Sequence, residues 1–245
     1  MQPRLFGLSI ELTNKCNLAC VHCYNDKKNT HLIPYDKVRE IIDESIEMGV
    51  VFLTITGGEP LTHNHCLDII NYAYKKGLLI RLFSNATLMD NEFVKSIKNK
   101  VYQVNVSLYS MDSLIHNNIT TVKDSHEKTI QSLKLLSANN VNIVIKTPLM
   151  KDNFEGYSMI KIFARELNCD YKFSSLIISS LDKNRHSNEL ELNLEQFKQL
   201  YVAERENNGK LFSSIRQNDV INTCNAGKNI CWIMSNGDIC ACMGY

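Results

Sequence analysis

Cys16, Cys20 and Cys23 occupy one short loop, Cys16-Asn17-Leu18-Ala19-Cys20-Val21-His22-Cys23, directly behind a segment that alternates like a strand. Three thiolates on so tight a loop can ligate three irons of a [4Fe–4S] cube and leave the fourth iron open. An open iron is what the chemistry needs when a small molecule must bind the cluster itself. The same residues also allow two plainer readings, half of a zinc site or unpaired buried thiols. A zinc site wants a fourth ligand nearby, and neither His22 nor His31 gives a familiar spacing. A second group, Cys224, Cys231, Cys240 and Cys242, lies near the other end of the chain and could hold one cluster or a zinc ion. Cys66 and Cys169 read as small buried apolar residues.

These residues need a scaffold, and the apolar pattern supplies one. Leu8 to Thr13, Val51 to Thr56, Leu79 to Phe83, Tyr102 to Leu108, Asn142 to Thr147 and Tyr171 to Ser175 alternate with period two. Helical patterns separate or follow them: one opened by Pro34 and closed by Gly49, one ending at Gly77, one capped by Asp90, and others near 126–139, 154–167 and 194–207. Six β-then-α units predict a parallel sheet with right-handed crossovers, and six falls short of a complete eight-fold barrel. The fold class is therefore α/β, a partial (β/α)6 TIM-like barrel. Its inner faces read as polar, with Glu11, Thr13, Thr54, Thr56, Asn105, Ser107 and Lys146 alternating with apolar neighbours. That suits an open, ligand-filled interior better than one solvated face. Ile178 to Glu191 reads as loop. A composition shift over Gly209 to Asn222 divides a barrel domain, residues 1–213, from a cysteine-rich segment, 214–245, with a β-hairpin turning at Asn236-Gly237.

A net charge of +1 offers no basic field for a nucleic-acid backbone. No apolar run is long enough to span a bilayer, and the N-terminus lacks the apolar core of a signal peptide. The expectation is a cytoplasmic protein without membrane or nucleic-acid partners. Its nine cysteines then read as metal or redox ligands rather than a disulfide framework.

The C-x3-C-x2-C loop after strand one resembles the signature of the radical S-adenosylmethionine superfamily. Thr56-Gly57-Gly58-Glu59-Pro60, at the end of strand two, resembles that family's glycine-rich methionine-binding motif. The resemblance implies two cofactors, a [4Fe–4S] cluster on Cys16, Cys20 and Cys23 and S-adenosylmethionine chelating the open iron. It also implies reductive cleavage to a 5′-deoxyadenosyl radical that abstracts a hydrogen atom from the substrate. Gly57, Gly58 and Glu59 carry over as cofactor-binding residues, with the glycines leaving room for backbone carbonyls to approach the methionine amine. Asn85 and Ser107 resemble positions near the ribose and carboxylate, Lys146 could pair with the carboxylate, and His22 stands where an aromatic ring lies near the adenine. Each of these four could equally be an ordinary polar residue of a barrel or a surface. The run Cys224, Gly237, Cys242 resembles the opening of the SPASM or twitch extension, which binds auxiliary [4Fe–4S] clusters in peptide-modifying members. The pattern stops early, at Tyr245, and Cys231 and Cys240 do not match it; each could be a thiol that donates a hydrogen atom. The implied activity is maturation of a peptide or protein by thioether or carbon–carbon crosslinking, epimerisation or oxidation. A flavodoxin- or ferredoxin-type reductant is an implied partner; with no winged-helix-like module before strand one, the expectation is that barrel loops or a separate leader-peptide-binding protein recognise the peptide. The alternatives are a radical enzyme for a small molecule or cofactor precursor, and an iron–sulfur carrier or zinc module.

Overall fold

The computed structural model describes residues 5–25, 30–179, 189–208 and 227–242. Six parallel strands stand in sequence order: β1 (Gly7–Glu11), β2 (Phe52–Thr56), β3 (Leu79–Ser84), β4 (Val101–Ser107), β5 (Ile143–Pro148) and β6 (Asp170–Ser174). Between them run α1 (Tyr35–Glu47), α2 (Cys66–Lys75), α3 (Asn91–Ile97), α4 (Ser113–Thr120), α5 (Ser125–Ala138) and α6 (Tyr157–Glu166), and α7 (Leu194–Asn208) follows β6. Neighbour-to-neighbour pairing of successive strands is the arrangement that repeated right-handed βα crossovers produce.

Alternation along each strand divides the side chains. Ile10, Leu53, Ile55, Ile80, Leu82, Val104, Val106 and Ile145 are fully buried in one core with Ile42, Ile69, Ile70, Ile97, Leu133 and Ile160 of the helices. Each such side chain stabilises the fold by about 1.5–3 kcal/mol. The opposite face carries Ser9, Glu11, Thr54, Thr56, Arg81, Gln103, Asn105, Ser107 and Lys146, the polar inner wall that the sequence predicts.

Two features go beyond the sequence reading. Helix α4 is additional, started by Asp112, whose carboxylate accepts from the Leu114 and Ile115 N–H groups at 2.8 and 3.2 Å. The C-terminal hairpin, β7 (Ile230–Ile233) and β8 (Ile239–Cys240), is not a free appendage. Strand β7 pairs in parallel with β1, Gly7 opposite Ile230 through Ile10 opposite Ile233, and makes one sheet of order β6-β5-β4-β3-β2-β1-β7-β8. The boundary between residues 213 and 214 and the central part of the 178–191 loop lie outside the described residues. Cys66 is buried at the start of α2, and Cys169 is half-buried against the core.

Candidate active site

The cysteine loop leaves β1 at the C-terminal end of the sheet and is held from three sides. Thr13 begins it: its hydroxyl donates to His31 O at 2.8 Å and accepts from Lys15 N at 3.0 Å. Its middle is clamped to the end of α4, where Ala19 N donates to Thr120 O at 3.1 Å and Val21 N to Ile119 O at 2.8 Å. The Thr121 hydroxyl donates to Ala19 O at 3.0 Å. So held, Cys16, Cys20 and Cys23 all line one cavity of about 280 Å³, together with Gly57, Gly58, Asn85, Ser107 and Tyr109.

Gly57 and Gly58 line that cavity, but the space their missing Cβ atoms leave is filled by the protein itself. A Cβ on Gly57 would stand 2.2 Å from Thr13 O, and one on Gly58 2.4 Å from Lys15 O. This close approach lets Gly58 N donate to Thr13 O at 2.7 Å and Glu59 N to Lys15 O at 2.9 Å, seating the end of β2 against the root of the cysteine loop. Glu59 is fully buried and lies outside the cavity lining. Its carboxylate accepts from Leu61 N at 3.1 Å, the Ser84 hydroxyl at 2.8 Å and Asn85 N at 2.7 Å. It thus ties β2 to the end of β3. Burial pushes its pKa up to about 7 against those three hydrogen bonds.

Asn85, fixed by Glu59, turns its side-chain amide toward the cysteine loop, donating to Asn17 Oδ1 at 3.0 Å and reaching Cys16 Sγ at 3.8 Å. Ser107 lines the cavity from β4, and His22 lines it with its ring edge-on to Tyr109 at 4.9 Å. Lys146 is not brought into the lining; its ammonium lies 5.8 Å from the ring of Phe83, which is in it. Sequence reasoning missed Tyr109. This residue is buried, with its hydroxyl 3.8 Å from Cys20 Sγ, and its backbone carbonyl accepts from Asn153 Nδ2 at 2.9 Å. Burial holds the phenol well above its usual pKa, so it remains a donor. The available signal was its place two residues beyond Ser107 at a strand end. Tyr24 and Trp232 were also missed; both donate to Glu11 Oε1, at 2.9 and 3.2 Å, and close the β1 side of the interior.

Three members of the second cysteine group, Cys231, Cys240 and Cys242, lie among the described residues. Cys240 pairs with Trp232 and shares its face, so Cys231, next along β7, points to the opposite side and packs on the core. Cys242 follows β8, and Cys224 lies outside the described residues. Among the described residues no three His, Cys, Asp or Glu side chains converge on a single ion.

The donor set around the cavity fits an iron–sulfur cluster. Three thiols from one loop surround it, and hydrogen-bond donors stand against their sulfurs: Leu18 N at 3.4 Å and Asn85 Nδ2 at 3.8 Å from Cys16, and the Tyr109 hydroxyl beside Cys20. Burial, with Glu59 and Cys23 adding to it, pushes the Cys16 thiol up to about 11.

A sequence profile describing the Radical SAM superfamily matches residues 10–160. The antilisterial bacteriocin subtilosin biosynthesis protein AlbA of Bacillus subtilis (strain 168) is 31% identical over 156 residues, 62% of this chain and 35% of that protein. The AdoMet-dependent heme synthase of Methanosarcina barkeri is 31% identical over 171 residues, 67% of this chain and 48% of that protein. The chain thus spans about a third to a half of these relatives. The structure of Streptococcus suis SuiB bound to S-adenosylmethionine superposes with a TM-score of 0.78 at 19% identity, over 98% of this chain and 61% of that one. SuiB has also been solved with its precursor peptide SuiA. At that identity the likeness is one of fold.

Proposed function

This chain belongs to the radical SAM superfamily, and from that membership we propose that it modifies a peptide or protein. The observation that carries the reading is the open side of the barrel. Strand β6 pairs only with β5 among the described residues, and its alternate residues Asp170, Lys172 and Ser174 are exposed. Leu176, just beyond it, is 73% exposed yet borders the cavity with Ile177 and Ile178. An edge that no described strand covers thus leads toward the cavity that the three cysteines line. An extended backbone can add to such an edge by main-chain hydrogen bonds. The names of AlbA, a bacteriocin biosynthesis protein, and of SuiB, solved with a precursor peptide, agree with it.

When bound at the cavity, the cluster and S-adenosylmethionine supply one-electron cleavage of the sulfonium and hydrogen-atom abstraction. The chain's own part is positional. Cys16, Cys20 and Cys23 hold the cluster, while Gly57 and Gly58 bring β2 against their loop. Glu59 fixes Asn85 through its backbone N–H, and Asn85, Ser107 and His22 form the wall that a nucleoside would meet. Lys146, deeper in the barrel, is available to an anionic group. We place a flavodoxin or ferredoxin as electron source and a separate protein as leader binder. We place the protein in a reducing, cytoplasmic setting, where thiols stay available as metal ligands.

A second reading, a small-molecule substrate, is favoured by the heme synthase, which matches at the same identity over a longer stretch. The two separate on one experiment. Anaerobically reconstituted protein is given S-adenosylmethionine, a reductant and any short cysteine-, tyrosine- or valine-rich peptide found encoded beside its gene. The peptide reading expects such a peptide to raise 5′-deoxyadenosine formation and to change in mass. Formation of 5′-deoxyadenosine that no such peptide stimulates, and that a small molecule does, overturns it.

A further inference from the structure

The inner wall carries charge that the cavity above does not use. Side chains on a strand share a face every second residue. This puts Arg81 with Phe83 on β3 and Lys146 with Pro148 on β5, the cavity-lining face of each strand. Lys172 is paired directly with Lys146, and Lys146 with Ser107. The Lys146 ammonium sits 5.8 Å from the Phe83 ring, one inward step from Arg81. Gln103 and Asn105 of β4 lie between, joined by an Asn105 Nδ2 to Gln103 Oε1 hydrogen bond of 3.4 Å.

None of these three cations forms an ion pair among the described residues. Among the described residues, two acids stand on the inward-facing positions of the strands. Glu11 is held by Tyr24 and Trp232 on the far wall, and Asp170, at the exposed base of β6, reaches no cation within salt-bridge distance. Burial, then Lys172 and Arg81, hold the Lys146 ammonium below its usual pKa. Cations gathered without a counter-ion disfavour one another, and an anion placed among them would relieve this. The Arg81 guanidinium lies over the Phe52 ring at 4.4 Å and adds its charge from there, and the lysines add point charges.

We propose that Arg81, Lys146 and Lys172 form a subsite for an anionic oxygen group, a carboxylate or a phosphate, carried by the substrate. This rests on the reading that the substrate occupies the barrel interior beneath the cysteine-lined cavity. Reconstituted protein saturated with S-adenosylmethionine is titrated by calorimetry at low salt with three probes: Ac-Ala-Ala-Glu-Ala-Ala-NH2, its Gln counterpart and inorganic phosphate. The glutamyl peptide should bind about tenfold more tightly than the glutaminyl one, the scale of a charge-assisted hydrogen bond. Lys172→Met, at an exposed position, and Lys146→Met should each remove most of that preference, while Lys146→Arg retains it. The Lys146→Arg result also separates lost charge from lost fold.

Equal binding of the two peptides, with no phosphate binding, overturns the subsite and leaves the peptide reading standing. Phosphate binding that Lys146→Met abolishes, with neither peptide bound, keeps the subsite and overturns the peptide reading. Binding seen only without S-adenosylmethionine assigns the cations to the cofactor's carboxylate and overturns the proposal. A preference that survives in the Lys146→Met/Lys172→Met double variant overturns it too.

Discussion

Three glycines separate two physical effects on which the site depends. Gly77, after α2, has φ of +83° with nothing within 4 Å of an added Cβ, so Gly77→Ala tests backbone strain alone. Gly58 has no left-handed φ, but its Cβ would meet Lys15 O at 2.4 Å and Asn14 O at 2.5 Å, so Gly58→Ala tests space alone. Gly57 has both, φ of +143° and Thr13 O at 2.2 Å. Strained backbone costs about 1–3 kcal/mol, and overpacking about 1–3 kcal/mol more. Gly57→Ala should therefore melt below Gly77→Ala by roughly 2–12 °C, at about 2–4 °C per kcal/mol for a chain of this size. The obstructing atoms are backbone carbonyls at the root of the cysteine loop, so relief must come from moving that loop. Gly57→Ala and Gly58→Ala should thus also lose iron and sulfide on reconstitution, whereas Gly77→Ala should load normally. Thermal melts of the apoprotein and iron content of the reconstituted protein read the two effects independently. If Gly58→Ala melts like the wild type and loads iron like Gly77→Ala, the close seating of β2 on the cysteine loop is not what the glycines serve.

Other expectations are compact. Cys20→Ala should keep the fold, since Cys20 is only part-buried, yet lose the cluster absorbance and all 5′-deoxyadenosine; undiminished product formation would sink the site assignment. Tyr109→Phe removes the hydroxyl beside Cys20 Sγ. Because hydrogen bonds to a cluster's sulfur ligands help set its potential, the midpoint should fall by about 60 mV, the one-electron equivalent of about 1.4 kcal/mol. An unchanged midpoint in an EPR-monitored titration rejects this. His116 is buried, with Nδ1 accepting from Tyr109 N, and burial, with His126 nearby, lowers its pKa to about 3. Below about pH 6.5 the unfolded chain takes a proton that folded His116 refuses, so its contribution is lost as pH falls. Glu59, raised to about 7, acts oppositely: between its ordinary value of 4.5 and about 7 the folded state keeps a proton that the unfolded chain releases, and stability falls as pH rises. The stability difference between wild type and His116→Gln in urea titrations should change by about 1.4 kcal/mol per pH unit between about pH 3.5 and 6. A constant difference refutes the burial argument.

The strands were readable because the barrel is lined with polar groups. Leu8-Ser9-Ile10-Glu11 alternates since Leu8 and Ile10 face the helices while Ser9 and Glu11 face inward, and the same logic exposes β2 to β5. Helix α4 was not readable by that route. Its buried face is His116, Ile119 and Thr120, with one aliphatic side chain, so no apolar stripe announces it. Only its start left a mark, Asp112 in the capping position. The pairing of β7 with β1 had no local sign at all. Four residues carry it across more than two hundred positions of chain, and register over such a distance follows from packing rather than pattern.

The same division runs through the site. Donor chemistry is a property of residue type and spacing, so the three cysteines and Thr56-Gly57-Gly58-Glu59 stand out in the sequence. Mechanical roles are properties of contact, and Glu59 shows the difference. Its place in the motif reads as a cofactor residue, yet it is fully buried and spends its carboxylate on Leu61 N, the Ser84 hydroxyl and Asn85 N. An acidic side chain that accepts from three donors in two chain segments fixes their relative position. Through Asn85 that position reaches Asn17 and Cys16, and through the neighbouring glycines it reaches Thr13 and Lys15. The glycine-rich segment and β3 therefore grip the first cysteine from two sides, as α4 grips the second. The sequence displays the ligands because their chemistry is local, and hides the grip because its partners are supplied by turns forty to a hundred residues away.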